Sequence, residues 1–369
     1  MIKIVISGSN FTSGGPLSVM QDLLNSISKD QRFKVIALVH QKSLYDLENL
    51  DSIEFIEFTD SKSSWFKRLK YEYYDFSSFS REIKPDIWLS MHDITPNVHS
   101  KLLFTYCHNP APFYKFQWKD FSYDKTFALF TLFYKYLYKI NIQKNDFVFV
   151  QQNWIKEAFR KMFKLSNVIV AKPNITIDIS NTDSKLAISL PTFIYPAFPR
   201  VFKNFEVICR AVEHLETTTD TVFKIILTID GTENSYALDI VNRYKHLQSI
   251  HFTGLLTRNE IFKQYNLSSM LIFPSKLETW GLPISEYKAY NKPMLIADLP
   301  YAKETVGNYD KVNFFDPDDY QLLAMFMQQH IDKTLKFQGN LYKKQTDLHG
   351  WKDFNDFMYN QYLQKNKEI

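Results

Sequence analysis

Short apolar runs alternate with stretches of helical spacing along the whole chain, and the scheme is passed through twice. In the first half, residues 3–7, 34–39, 52–56, 86–90, 102–106 and 147–150 read as strands. Between them, Leu17, Met20, Leu24 and Ile27 recur at helical spacing, as do Phe66, Leu69, Tyr73, Phe76 and Ile83. Strands that alternate with helices pair in parallel, with helices on both faces of the sheet. The second half repeats the pattern, with strands over 192–195, 223–229, 249–253, 270–273, 294–297 and 312–315. A polar stretch rich in Ser, Asp and Thr, 177–190, separates the halves as a linker. At 369 residues the chain suits two domains of ordinary size. The expected division is 1–180 and 181–349, followed by a last helix within 350–369 that carries Phe354, Phe357, Met358 and Tyr362.

Composition narrows the function. Hydrophobic residues make up 45% and charged residues 23%, a globular balance. The 32 Phe and 22 Tyr exceed what a core needs and leave some aromatic surface. A net charge of +4 with pI near 8.6 is compatible with an anionic membrane surface or a phosphorylated ligand, but is too mild for a nucleic-acid protein. Cys107 and Cys209 lie far apart and lack metal-ligand spacing, apart from Cys107 adjoining His108, so a reduced cytoplasmic protein is expected. The N-terminus reads as a strand and not as a signal peptide. The longest apolar approach to a membrane span, 127–134, is broken by Lys135 and Lys139.

The densest motif is Phe273-Pro-Ser-Lys-Leu-Glu278-Thr279-Trp280-Gly281-Leu282-Pro283-Ile-Ser-Glu286. A buried strand ends at Phe273, and Pro283 suits the first position of a following helix. Glu278 then sits on the loop and Glu286 about one turn into the helix. Free N–H groups near Gly281 and Leu282 favour a phosphate or diphosphate. A carboxylate on either side can accept hydrogen bonds from sugar hydroxyls, a combination that suits a nucleotide sugar. The alternative is that the acids merely favour a helix N-terminus, which covers Glu286 better than Glu278.

Other loops also carry polar groups at strand ends. Gly8-Ser-Asn-Phe-Thr-Ser-Gly14-Gly15-Pro16 leads into the first helix, which Pro16 starts. It is neither the dinucleotide fingerprint nor a phosphate-binding P-loop. On these residues alone, an anion-favouring loop and an ordinary turn stand equal. His108 ends a strand before the Pro-rich loop 109–113, where ligands of parallel sheets bind, although a structural loop histidine fits as well. His92 also ends a strand and is a weaker candidate than His108, lining the acceptor side. Asp316-Pro317-Asp318-Asp319 reads as a helix start, with Asp316 the cap and Pro317 the first residue, so no metal is assigned. Trp65–Tyr71 and the segment 115–119 with Trp118 and Lys119 mix aromatic and basic residues. Each reads as a lipid-facing patch or as a helix with buried aromatics and snorkelling lysines. For the first, the buried form is preferred.

The segment from Glu278 to Glu286, with F-P-S before it and G-L-P inside it, resembles the E-x7-E signature of retaining glycosyltransferase family 4. The resemblance implies the GT-B fold, two Rossmann-like doubly wound parallel-sheet domains with an interdomain cleft. It places Glu278 near the donor sugar and Glu286 on the ribose. Gly14 and Gly15 correspond to the family's glycine-rich loop, and His108 to a histidine near the donor sugar. The family places an arginine and then a lysine after the strand over 192–195, both gripping the diphosphate, and Lys203-Asn204 matches its usual Lys-Asn or Lys-Gly. Arg200 stands in for the family's arginine, although it lies only three residues before Lys203 and Pro196 replaces the usual glycine. Thr253-Gly254-Leu255 resembles the segment beside the nucleotide base. The final helix is expected to cross back onto the first domain.

The implied activity is transfer of a hexose or deoxyhexose, with retention and without a metal or other cofactor. The donor is a nucleotide-diphosphate sugar, and the acceptor is a glycan or lipid-linked species in surface polysaccharide biosynthesis. Catalysis is expected from His108, Glu278 and Lys203, with Thr279, Trp280, Gly281 and Leu282 lining the nucleotide. Peripheral contact with the cytoplasmic face of the inner membrane is compatible with the charge. A sugar-nucleotide epimerase on the same fold, or a non-catalytic nucleotide-sugar-binding partner, are the alternatives.

Overall fold

The computed structural model of the chain describes residues 1–46, 49–118, 120–173, 190–343 and 346–367. The expected linker, 177–190, lies outside them except for Leu190, as does Lys119. Two compact units form. One comprises Met1–Phe113, Phe133–Ile175 and Lys344–Ile369, and the other Tyr114–Leu132 and Thr176–Lys343.

The first unit contains strands β1 (Ile2–Gly8), β2 (Phe33–Val39), β3 (Ile53–Glu57), β4 (Ile87–Ser90), β5 (Leu102–Cys107), β6 (Phe147–Val150) and β7 (Val168–Lys172). Its helices are α1 (Gly14–Ile27), α2 (Trp65–Lys70) and α3 (Phe76–Ile83). Next come α4 (Asp120–Tyr123) and α5 (Lys125–Lys139). Helix α4 and the start of α5 group with the second unit, and the rest of α5 with the first. Helix α6 (Asn153–Phe163) follows.

The second unit holds β8 (Thr192–Tyr195), β9 (Lys224–Leu227), β10 (Ile250–Phe252), β11 (Met270–Phe273), β12 (Met294–Ala297) and β13 (Val312–Phe315). They alternate with α7 (Phe205–Thr218), α8 (Ser235–Tyr244), α9 (Arg258–Leu267), α10 (Leu282–Lys288), α11 (Pro300–Val306) and α12 (Tyr320–Ile331). The chain then returns to the first unit with β14 (Leu348–His349) and α13 (Gly350–Lys367).

Both sheets are parallel. The first runs β3-β2-β1-β4-β5-β6-β7-β14 and the second β10-β9-β8-β11-β12-β13. Counted within its own unit, each contains the doubly wound order 3-2-1-4-5-6. Side chains of β1 alternate between the two faces of the first sheet. Ile2, Ile4 and Ile6 join a core with Met20, Leu23, Leu24 and Ile27 of α1 and Trp351, Phe354 and Met358 of α13. Val5 joins Ile36, Leu38, Trp88 and Phe76 on the other face. Both faces are covered, which is why these strands read as unbroken apolar runs.

Three local readings change. Helix α1 is assigned from Gly14, so Pro16 falls within its first turn and does not start it. The stripe from Phe66 to Ile83 is helical, but the chain makes a π turn over Tyr71–Asp75 between α2 and α3. The wider turn brings Glu72 inward to full burial. The aromatics of 65–71 are not all buried: Trp65 and Phe66 are exposed, and so is Trp118.

Candidate active site

In a doubly wound sheet, ligands meet the carboxyl ends of strands where the order reverses. In the second unit that point lies between β8 and β11. The loop after β8 ends in a 3-10 turn, Val201–Lys203, and Asn204 follows in the left-handed conformation with φ 58°. The Asn204 amide donates to the carbonyls of Pro274 (3.3 Å) and Pro317 (2.7 Å), tying together the loops after β8, β11 and β13. Tyr195 Oη donates to the carbonyl of Lys203 at 2.8 Å. Held this way, the Lys203 ammonium pairs with Glu278 and lies 5.4 Å and 5.9 Å from the ring centres of Phe202 and Phe273. Both partners are mostly buried, so removing one strands a charge in a poorly hydrated site.

Gly281 caps α10 with φ 80°. A Cβ there would approach Ile284 Cδ1 at 3.2 Å and Phe273 Cε1 at 3.4 Å, so both conformation and space select glycine. Leu282 is therefore the first helical residue and Pro283 the second, not the first. Trp280 Nε1 donates to Ser285 Oγ at 2.9 Å, and Thr305 Oγ1 donates to the carbonyl of Trp280. Thr279 lies in the same loop. One turn into α10, Glu286 is buried and accepts from Tyr265 Oη at 3.1 Å, with Arg258 Nη2 at 3.7 Å. Burial raises its pKa, against the lowering effects of Tyr265 and Arg258. Gly254 has φ 69°, and a Cβ there would come within 2.8 Å of Asp230 Oδ2. Leu255 beside it is exposed. No short motif flags Asp230, Arg258 or Tyr265; only the fold brings them to this region.

Arg200 does not join Lys203. It is extended (φ −135°) before the 3-10 turn, and its Nη1 bonds Asp124 Oδ2 at 2.5 Å. The acidic run after β13 is also rearranged. Asp319, not Asp316, caps α12 by accepting from the Leu322 N–H at 2.9 Å, because the turn through Pro317 delays the helix to Tyr320. Asp316 accepts from the Asp318 N–H, and the Asp318 carboxylate pairs with Lys276. Among the described residues no group of three or more His, Cys, Asp or Glu is arranged to hold a metal ion.

In the first unit the order reverses between β1 and β4. Gly8 ends β1 where a Cβ would overlap Met20 Sδ at 2.0 Å. Gly14 (φ 77°) and Gly15 are exposed, with no atom within 4 Å of an added Cβ. His108 follows β5 and is buried, its ring 4.8 Å from Tyr106 and edge-on to Phe11 at 5.8 Å. Its Nδ1 lies 3.3 Å from Gln151 Nε2. The backbone N–H groups of His108 and Asn109 donate to Asp93 Oδ1 at 2.5 and 3.0 Å. Tyr138 and Tyr134 donate to the same carboxylate at 3.1 and 3.2 Å. Asp93 has φ 73°, a conformation costing roughly 1–2 kcal/mol that these donors offset. Burial lowers the His108 pKa and keeps its ring neutral.

His92 does not line a surface. It is buried, with Nε2 3.0 Å from Ser7 Oγ and Nδ1 3.1 Å from Glu72 Oε1. Burial pushes the Glu72 carboxyl up to about 8 and the His92 ring well down, which favours a neutral pair. Cys107 and Cys209 are buried free thiols, and burial raises both pKa values.

Residues 188–346 match the family of glycosyl transferases, group 1. A 132-residue stretch, 35% of the chain, is 26% identical to the serotype-specific mannosyltransferase WbdA of Escherichia coli, and it spans only 16% of that protein. Among solved structures, the lipopolysaccharide outer core galactosyltransferase WaaB superposes with TM-score 0.64 at 15% identity, covering 98% of this chain and all of that one. Anabaena HepE, solved with UDP and glucose, superposes with TM-score 0.55 at 13% identity, covering 90% and 91%. The fold is thus GT-B, and residues 188–346 resemble the group 1 glycosyl transferases.

Proposed function

With residues 188–346 matching group 1 glycosyl transferases on a GT-B fold, we propose that this chain transfers a sugar from a nucleotide diphosphate to an acceptor. The observation that carries the reading is the meeting of Lys203 and Glu278 at the switch point of the second sheet, with Glu286 buried one turn into the next helix. A diphosphate beside Lys203 takes over part of its pairing with Glu278, and the freed carboxylate accepts from sugar hydroxyls. Glu286 has one short partner in Tyr265, so its carboxylate keeps capacity for ribose hydroxyls. The bare backbone at Gly254 gives a flat place for the base. Fixed cationic and N–H groups stabilise the charge that develops as the diphosphate leaves. His108, neutral and held through Asp93, is the first unit's candidate for a contact to the sugar.

No side chain of this cluster is set as a nucleophile, in keeping with same-face attack and retention. The acceptor is read as a glycan or lipid-linked species of a surface polysaccharide, made at the cytoplasmic face of a membrane. UDP is the first nucleotide to try, since HepE was solved with it. The test is a panel of nucleotide sugars scored for hydrolysis and for thermal stabilisation. One donor is expected to be hydrolysed slowly and to raise the melting temperature. If every nucleotide sugar is inert in both assays, the reading fails.

A further inference from the structure

The second sheet ends at β13, an edge strand whose open side has to be covered or blunted. Residues 338–340 cover it. Tyr309 and Asn340 form an antiparallel bridge, the Gly339 N–H donates to the Val312 carbonyl at 3.0 Å, and the Gln338 N–H donates to Asn313 Oδ1 at 2.7 Å. This cover and the turns that lead into β12 and β13 frame a cavity of about 690 Å³. Four carboxamides line it, Asn291, Asn308, Gln338 and Asn340, together with Tyr309 and Asp310. The volume falls within the roughly 300–1,000 Å³ of small-molecule sites. The cavity lies at the amino ends of β12 and β13, whereas Lys203, Glu278 and Gly281 lie beyond the carboxyl ends of their strands. It is therefore separate from the site described above.

The lining selects the class of ligand. Asn291 Oδ1 accepts from Lys311 Nζ at 3.1 Å, Asn308 Oδ1 from the Tyr342 N–H at 2.9 Å, and Gln338 Oε1 from the Phe314 N–H at 3.4 Å. Each of these amides keeps its NH2 group as a donor. Asn340 is turned the other way. Its Nδ2 donates to the carbonyls of Lys303 (2.8 Å) and Gly307 (2.6 Å), which leaves Oδ1 as an acceptor, like the Asp310 carboxylate. Sugar hydroxyls both donate and accept, and so match a mixed set of this kind. An anion fits poorly. Among the described residues of the lining Asp310 alone is charged, and the neighbouring lysines are engaged: Lys292 with the carbonyls of Tyr265, Asn266 and Ser268, and Lys311 with Asn291. Tyr309 Oη donates to the Lys292 carbonyl at 2.8 Å, so it is the half-buried ring that the cavity meets. Leu341, also in the lining, is 83% exposed. Ring and leucine supply apolar surface for the C–H face of a pyranose. We propose that this cavity binds a segment of a neutral glycan, apart from the donor site.

Such a site keeps a polymeric glycan at hand by raising its effective concentration, a use that rests on the sugar-transfer reading, whereas the binding itself needs neither donor nor turnover. The full chain is run in native gels cast with and without mannan, dextran or galactan, and each variant is compared with its own mobility in plain gel. Retardation by at least one polysaccharide is expected. Asp310→Ala with Gln338→Ala is expected to need about tenfold more polysaccharide for the same retardation. Both side chains are exposed, so the circular-dichroism spectrum should stay that of the parent. Asp310→Asn, which keeps the shape and removes the charge, is expected to weaken binding about fivefold. A parent whose mobility none of the three polysaccharides changes overturns the proposal, as does parent-like retardation of the folded double variant. Donor hydrolysis by these variants should run at the parent rate; retardation lost together with hydrolysis would place the glycan at the donor site and overturn the proposal. Retardation of a parent that is inert toward every nucleotide sugar leaves this site standing and fails only the transfer reading.

Discussion

Glu286 is a carboxylate kept inside the second unit by one tyrosine and an arginine at longer range. If it receives ribose hydroxyls, Glu286→Ala weakens nucleoside diphosphate binding by about 1.5–3 kcal/mol, which calorimetry measures directly. Unchanged affinity would remove that role. His108→Ala is expected to cut turnover about 10²-fold or more with little change in KM, if its contact is made mainly in the transition state.

Glu72 makes a different prediction. Its carboxyl titrates near 8 in the fold against an ordinary 4.5, so between those values the folded chain keeps a proton that the unfolded chain has lost. That stability is fully present below about 4.5 and lost as pH rises toward 8. Buried His92 acts oppositely, costing stability as pH falls below its ordinary 6.5. Glu72→Gln should therefore flatten the alkaline decline in urea midpoint while leaving the acid limb. A parent-like alkaline slope would show that Glu72 ionises normally. Glu278 and Lys203 were legible because each sits in a dense local motif. His92 was misread because its burial comes from Ser7 and Glu72, remote in sequence, and Asp230 and Arg258 were silent for the same reason.

At the level of elements, α13 packs Trp351, Phe354 and Met358 into the core that also takes in α1 and the first sheet. Phe354 is fully buried, so Phe354→Ala should cost about 3–5 kcal/mol by denaturant unfolding. A loss below about 1 kcal/mol would mean that α13 contributes little to the fold. Most strands were legible because burial on both faces makes each a continuous apolar run. Val168–Lys172 and Leu348–His349 escaped notice: they lie at the far edge of the sheet, and the second is two residues long. The π turn at Tyr71–Asp75 leaves no periodic trace, since it shifts the helical phase by a single extra residue.

Across the whole molecule, the proposed chemistry relies on Lys203 and backbone N–H groups, and the acids that imitate a metal motif are already engaged. Turnover should persist in EDTA. Activity that stops on chelation and returns with manganese would contradict this. The path of the chain has a practical outcome. It leaves one unit for the other after residues 113, 132, 175 and 343, so the second unit is assembled from two separate stretches. Tyr123, in the shorter stretch, packs edge-on against Tyr236 at 5.5 Å and donates to Asp239 at 2.9 Å. A chimera joined only within 174–189 would separate these partners. Grafting the second unit of a relative onto this chain therefore requires two matched exchanges, 114–132 together with 176–343, and if that unit holds the proposed donor site, donor preference should be inherited only when both travel together.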